Sequence, residues 1–166
     1  MLTLTDSSLD YMFRCWREQS QRTRYIYLPG EDPRSALARL VESKVRDKLI
    51  DMGYTPTRTG HNDPFDLMVR GCRIEVKAAT FSSQGYRFNL RGNDADLLIM
   101  GCLNSKLHFF VIPFDCVRGI TYLKIPSHDP CSYMGRWTTF YEAWSVVDEL
   151  VAMARNPWQM PMFELV

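Results

Sequence analysis

The sequence lacks any cysteine pattern that could staple a fold. Its five cysteines, Cys15, Cys72, Cys102, Cys116 and Cys131, are odd in number, and no two stand as C-x-x-C. A zinc site or a disulfide framework therefore finds no support, and the thiols read as reduced groups in or near a core. No apolar run is long enough to span a bilayer. The opening stretch from Met1 to Asp10 lacks the basic-then-apolar pattern of a secretory signal, so a cytoplasmic protein without a membrane anchor is expected. There is no internal repeat and no low-complexity tract, which sets aside solenoids and flexible linkers. Charge of one sign is missing too: 20 Lys and Arg against 19 Asp and Glu leave a net charge of +1. The strongly basic balance of many nucleic-acid binders is absent. A near-neutral total still allows acids kept for a metal and bases confined to one face.

What is present suits one domain. The 166 residues are 46% hydrophobic and 13% aromatic, enough for a real core, and residues 1–166 are read as a single unit. Residues 7–26 read as a helix capped by Ser7 or Ser8, with Leu9, Met12, Phe13 and Trp16 as its apolar stripe. The same segment carries Arg14, Arg17, Arg22 and Arg24, opposed only by Glu18. A break follows at Leu28 to Pro33. A second helix is expected over 34–52, capped by Asp32 or Ser35, with Leu37, Leu40, Val41, Val45 and Leu49 at helical spacing and Gly53 as its stop. Glu42 sits at the edge of that buried stripe.

The hydrophobic period then changes to two. Strands are expected at Phe65–Val69, Cys72–Ala78, Tyr86–Leu90, Asp96–Met100 and Leu107–Ile112, with a short further strand at Ile120–Ile125. A last helix is expected over about 139–154, with Phe140, Trp144, Val147, Leu150 and Val151 as its apolar positions. This order predicts an α+β or mixed α/β architecture, a mixed sheet of about five strands flanked by helices, with its core over 34–125.

The chemistry gathers in one hairpin. If Arg70-Gly71 is a two-residue turn, Val69 pairs with Cys72, and counting outward sets Asp66 opposite Glu75. Alternation puts Lys77 on the face of Glu75, while Leu67, Val69, Ile74 and Val76 form an apolar opposite face that must be buried. Two opposed carboxylates repel unless something neutralises them. A divalent cation does so: Mg²⁺ takes a few carboxylate oxygens at about 2.1 Å and fills its other positions with water and phosphate oxygens. The competing reading is a solvated polar face on an antiparallel sheet.

The residues in succession resemble the PD-(D/E)XK nuclease superfamily, with its restriction-endonuclease-like fold. The resemblance runs from Ala36 to Ile125. It comprises the helix with Glu42, Gly53-Tyr54, Pro64-Phe65-Asp66, Ile74-Glu75-Val76-Lys77-Ala78-Ala79, Tyr86-Arg87-Phe88, Asp94 to Ile99 and Phe109 to Pro113. The proline stands two places before the aspartate, a departure from the family pattern. Within the superfamily the succession is most similar to group I intron homing endonucleases and related small nucleases, and also to Holliday-junction resolvases. The resemblance implies a metal-dependent DNA endonuclease that hydrolyses phosphodiester bonds. Glu42, Asp66 and Glu75 would be ligands to Mg²⁺, with Mn²⁺ as a substitute, and Lys77 would be the catalytic lysine. Junction resolution, restriction-type cleavage and a noncatalytic nucleic-acid-binding role on the same fold are the alternatives. Double-stranded DNA is the implied partner. Since one site cuts one strand, a homodimer or homotetramer is expected.

Other polar residues compete with these for functional roles. Asp63 is a rival to Asp66 but falls outside the strand register; His61 reads as loop chemistry. Asp94 and Asp96 read as turn and edge residues leading into a strand. Gln84, Arg87, Arg91 and Asn93 flank the site and are assigned to nucleic-acid contact, as are Arg14, Arg17 and Arg24. The tail from Met160 to Val166 is apolar and is expected to dock on the core or on a second subunit.

Overall fold

The computed structural model describes residues 32–60, 63–90 and 94–155. The expected helix over 7–26 with its arginines, His61, Arg91, Asn93 and the Met160–Val166 tail lie outside the described residues.

Helix α1 spans Pro33–Asp51. Its cap is Asp32, whose carboxylate accepts from the Arg34 N–H at 2.9 Å and the Ser35 N–H at 3.3 Å, satisfying two of the donors left free by a helix start. Pro33 follows at the first turn, where its missing N–H costs nothing. The stripe Leu37, Leu40, Val41, Val45 and Leu49 is buried as its spacing requires.

Seven strands follow: β1 Thr57–Arg58, β2 Leu67–Val69, β3 Cys72–Thr80, β4 Tyr86–Asn89, β5 Leu97–Leu103, β6 Leu107–Pro113 and β7 Tyr122–Ile125. The main sheet has the order β1-β2-β3-β5-β6. Only β3 and β5 run parallel; the other neighbours are antiparallel. The β2–β3 hairpin has the predicted register, Val69 with Cys72, Met68 with Arg73 and Leu67 with Ile74. Its turn holds both Arg70 (φ 48°) and Gly71 (φ 89°) in the left-handed region, as a two-residue hairpin loop requires.

The sheet has five strands, yet not the five that strand propensity suggested. Tyr86–Asn89 leaves the main sheet and pairs with β7 as a separate two-stranded ribbon. The two-residue β1 takes a place at the edge instead. Burial explains the split. Strand β5 is buried at every position, which demands neighbours on both edges and cover on both faces. Strand β4 alternates buried Tyr86 and Phe88 with exposed Arg87 and Asn89 and can use only one face.

The sheet is covered differently on its two sides. Helix α1 and helix α2, Ser145–Arg155, cover the face of Leu67, Val69, Ile74, Leu97 and Ile99. The β4–β7 ribbon covers the other, packing Tyr86, Phe88, Leu123 and Ile125 against Leu98, Met100, Phe110 and Ile112. Among the described residues no helix is long and apolar enough to cross a membrane.

The C-terminal helix starts at Ser145, not near residue 139. Thr138–Phe140 is a 3₁₀ turn instead. The chain is held there by the sheet edge: the Glu142 N–H donates to the Phe109 carbonyl at 2.9 Å, and the Glu142 carboxylate accepts from the Phe109 N–H and the Trp144 indole, each at 2.8 Å. These bonds cover the open edge of β6 and hold Glu142 at φ 48°, which no helix allows.

Close approach of α1 to the sheet depends on Gly101. A Cβ there would lie 2.4 Å from Val41 Cγ1. Gly101→Ala is therefore expected to cost about 1–3 kcal/mol by overpacking, read as a lower midpoint in urea unfolding. An unchanged midpoint would mean that α1 packs less tightly than described.

Candidate active site

Three of the four expected catalytic residues meet at the open end of the β2–β3 hairpin. In an unbroken ladder the Val76 N–H would pair with the Phe65 carbonyl. Here strand β2 ends at Leu67, and the Asp66 carboxylate accepts that N–H through Oδ2 at 2.7 Å. The Phe65 carbonyl accepts instead from the Thr59 hydroxyl, and the Asp66 carbonyl from the Thr59 N–H at 3.1 Å. Asp66 thus joins β1, β2 and β3, and its second carboxylate oxygen has no hydrogen-bond partner among the described residues.

Glu75 lies on the neighbouring strand, 5% exposed. This decides against a merely solvated polar face. Its Oε1 is ion-paired with the Lys77 ammonium. Burial pushes the Glu75 carboxyl above the usual glutamate range, and the charge of Asp66 adds to the rise, while Lys77 opposes it. Two carboxylates and an amine therefore share one patch, the amine partly exposed and one carboxylate short of compensation.

Glu42 is not brought into this group. Its carboxylate is held by the Arg58 guanidinium through Nε at 2.7 Å and Nη2 at 3.2 Å. Among the described residues no three His, Cys, Asp or Glu side chains are grouped as a metal centre. Helix α1 does carry Glu42 on its partly buried edge, as expected, but a two-pronged bond to β1 takes up both oxygens. Nothing in the sequence announced Arg58, because a two-residue edge strand leaves no periodic signal.

The remaining candidates sort clearly. Asp63 is exposed and accepts from the Gly60 N–H at 2.6 Å, a turn role. Asp94 and Asp96 both bind Arg73, at 2.8 Å each, and Asp96 also accepts the Arg73 N–H at 2.8 Å, so they tie the start of β5 to β3. Gln84 is exposed in the turn before β4 and accepts from Arg87 Nη1 at 2.7 Å. Arg87 stands on the outer face of the ribbon, its guanidinium 4.9 Å from the Tyr122 ring centre.

No protein-family model and no curated protein matches the chain. Its fold is shared with a solved bacterial homing endonuclease, I-Ssp6803I, at a TM-score of 0.62 and 20% identity, over 72% of this chain and 96% of that one. At that identity the likeness establishes a common fold.

Proposed function

We propose that the protein is a metal-dependent DNA endonuclease of the PD-(D/E)XK type that hydrolyses phosphodiester bonds in a duplex. The observation that carries this reading is the buried Glu75, ion-paired to Lys77 and repelled by Asp66, at the end of a rigid hairpin. The shared fold with a homing endonuclease supports it.

The donor set fits a hard divalent cation such as Mg²⁺. Asp66 and Glu75 offer carboxylate oxygens, and their mutual repulsion is the penalty a cation removes. Glu42 enters as a third acid by the sequence resemblance alone, its carboxylate being held by Arg58. The cation, when bound, supplies an acidified water and charge stabilisation at the phosphate. Lys77 orients the attacking water and offsets negative charge on the phosphate oxygens. Asp66, fixed through Val76 and Thr59, keeps the carboxylates in place without reorganisation. Arg87 lies on the ribbon that follows the catalytic strand and Gln84 in the turn before it, and Arg14, Arg17, Arg24, Arg91 and Asn93 are assigned to the duplex by charge or polarity alone. A homodimer or homotetramer carries the second site needed for the second strand.

The test is plasmid cleavage. Nicked or linear product is expected with Mg²⁺ or Mn²⁺. Ca²⁺ is expected to support duplex binding with little turnover, because its larger and looser shell positions water poorly. Cleavage that persists in excess chelator would overturn the reading.

A further inference from the structure

The β4–β7 ribbon has one face packed into the core and one face exposed. Tyr86, Phe88, Leu123 and Ile125 point into the core. The outer positions are Arg87, Asn89, Tyr122 and Lys124, all exposed, Tyr122 at 41%. This outer set contains two cations, a phenol and an amide, and no carboxylate. Arg87 and Lys124 are direct cross-strand partners. Like charges so opposed destabilise a ribbon, and among the described residues neither has an ion pair. The arrangement is costly alone and favourable against an anion.

The details point beyond general attraction. The Arg87 guanidinium is held in place by the Tyr122 hydroxyl at Nε and by Gln84 Oε1 at Nη1. Those bonds use two of its five N–H donors and leave one on Nη1 and two on Nη2. That remaining fork is the one that matches the O6 and N7 acceptors of guanine. The outer face of a two-stranded ribbon, with strands about 5 Å apart, is narrower than a B-DNA major groove about 12 Å wide. The ribbon also lies on the sheet face that bears Glu75 and Lys77, and β4 follows β3 through the short turn at Ser82–Gly85. The ribbon and the candidate catalytic group therefore lie on the same side of the main sheet.

The geometry points to the β4–β7 ribbon as a reading element that enters the major groove of duplex DNA, with Arg87 recognising a guanine edge and Lys124 and Tyr122 beside it. This rests on the duplex-cutting reading above and assigns the part that selects the site.

The experiment uses the full chain with Ca²⁺, a duplex library of random sequence and methylation interference with dimethyl sulfate, which marks guanine N7 in the major groove. Wild-type protein is expected to retain a preferred subset of duplexes and to be blocked by N7 methylation at a few positions. Arg87→Ala with Lys124→Ala should remove that interference and lower affinity for the preferred duplex by roughly 10- to 100-fold. Arg87→Lys keeps the charge and loses the fork. It should lose the base preference while holding the salt dependence of binding. Both positions are exposed, so the variants should fold as wild type, which unchanged circular-dichroism melts check.

N7 interference that survives in both variants would overturn the ribbon proposal and leave the nuclease reading standing. So would a variant that only flattens the salt dependence with its base preference intact, which marks phosphate contact. Preference for single-stranded RNA over duplex would overturn it as well. Failure of the wild-type protein to bind or cut any duplex would overturn both readings together.

Discussion

Lys77→Ala is expected to lower strand cleavage by about 10³-fold, the order lost when a pre-placed charge-stabilising donor is removed, with much of the duplex affinity retained. The amine sits on the face of Glu75 and pairs with it, so the substitution also strips a buried carboxylate of a cationic partner. A modest loss of stability should accompany the loss of rate. Three further variants separate these effects. Asp66→Ala should abolish cleavage while binding duplex at least as tightly, since a negative charge facing phosphate is gone. It should also cost about 1 kcal/mol, because the Val76 N–H loses its acceptor. Asp66→Asn keeps an oxygen for that N–H and should restore the stability without restoring the rate. Glu42→Gln should slow cleavage less than either, because Arg58 holds that carboxylate apart from the group. Single-turnover rates and melting curves on the same preparations measure all four. Full activity in Lys77→Ala with the metal still required would move the active site elsewhere on the chain.

How far the sequence led is clearest at the hairpin. Arg70-Gly71 has few conformations open to it, and alternation does the rest. The pairing of Val69 with Cys72, and the shared face of Glu75 and Lys77, follow from counting. Counting fails one residue beyond β2, where the Asp66 side chain replaces a backbone carbonyl. Such an exchange depends on what the Thr59 segment brings alongside. The stripe and cap of α1 were equally readable, since both are local. Partnerships between distant segments were not. Pairing of Tyr86–Asn89 with Tyr122–Ile125 joins residues more than thirty positions apart. The pinning of Glu142 to β6 erased a helical turn that periodicity favoured. Arg58 and Lys124 carry no local signal for the same reason: their importance comes from the neighbour across the ladder or the helix, not from their own spacing.

Glu75→Gln is expected to abolish cleavage and, at neutral pH in chelator, to raise stability. Burial and the charge of Asp66 lift the Glu75 carboxyl above its ordinary range. A carboxyl raised on folding binds its proton more tightly in the folded chain. Its contribution to stability is fully present below the unfolded pKa and is lost as pH rises through the folded one. Once ionised, this buried carboxylate carries a desolvation cost that Lys77 offsets only in part. Glutamine has the same shape and no charge to desolvate, so the gain should be about 1–2 kcal/mol, a rise of a few degrees in Tm. The difference should shrink as pH falls below the folded pKa, where wild-type Glu75 is itself neutral. Added Mg²⁺ should then reverse the order. Wild-type protein gains stability from any cation that binds the folded state alone, and the glutamine variant, short of a ligand, gains little. Thermal melts across pH, with and without Mg²⁺, read both effects. A glutamine variant less stable than wild type in chelator would show that the Glu75–Lys77 pair stabilises the fold on its own account. An equal Mg²⁺ response in the two proteins would remove Glu75 from the metal site.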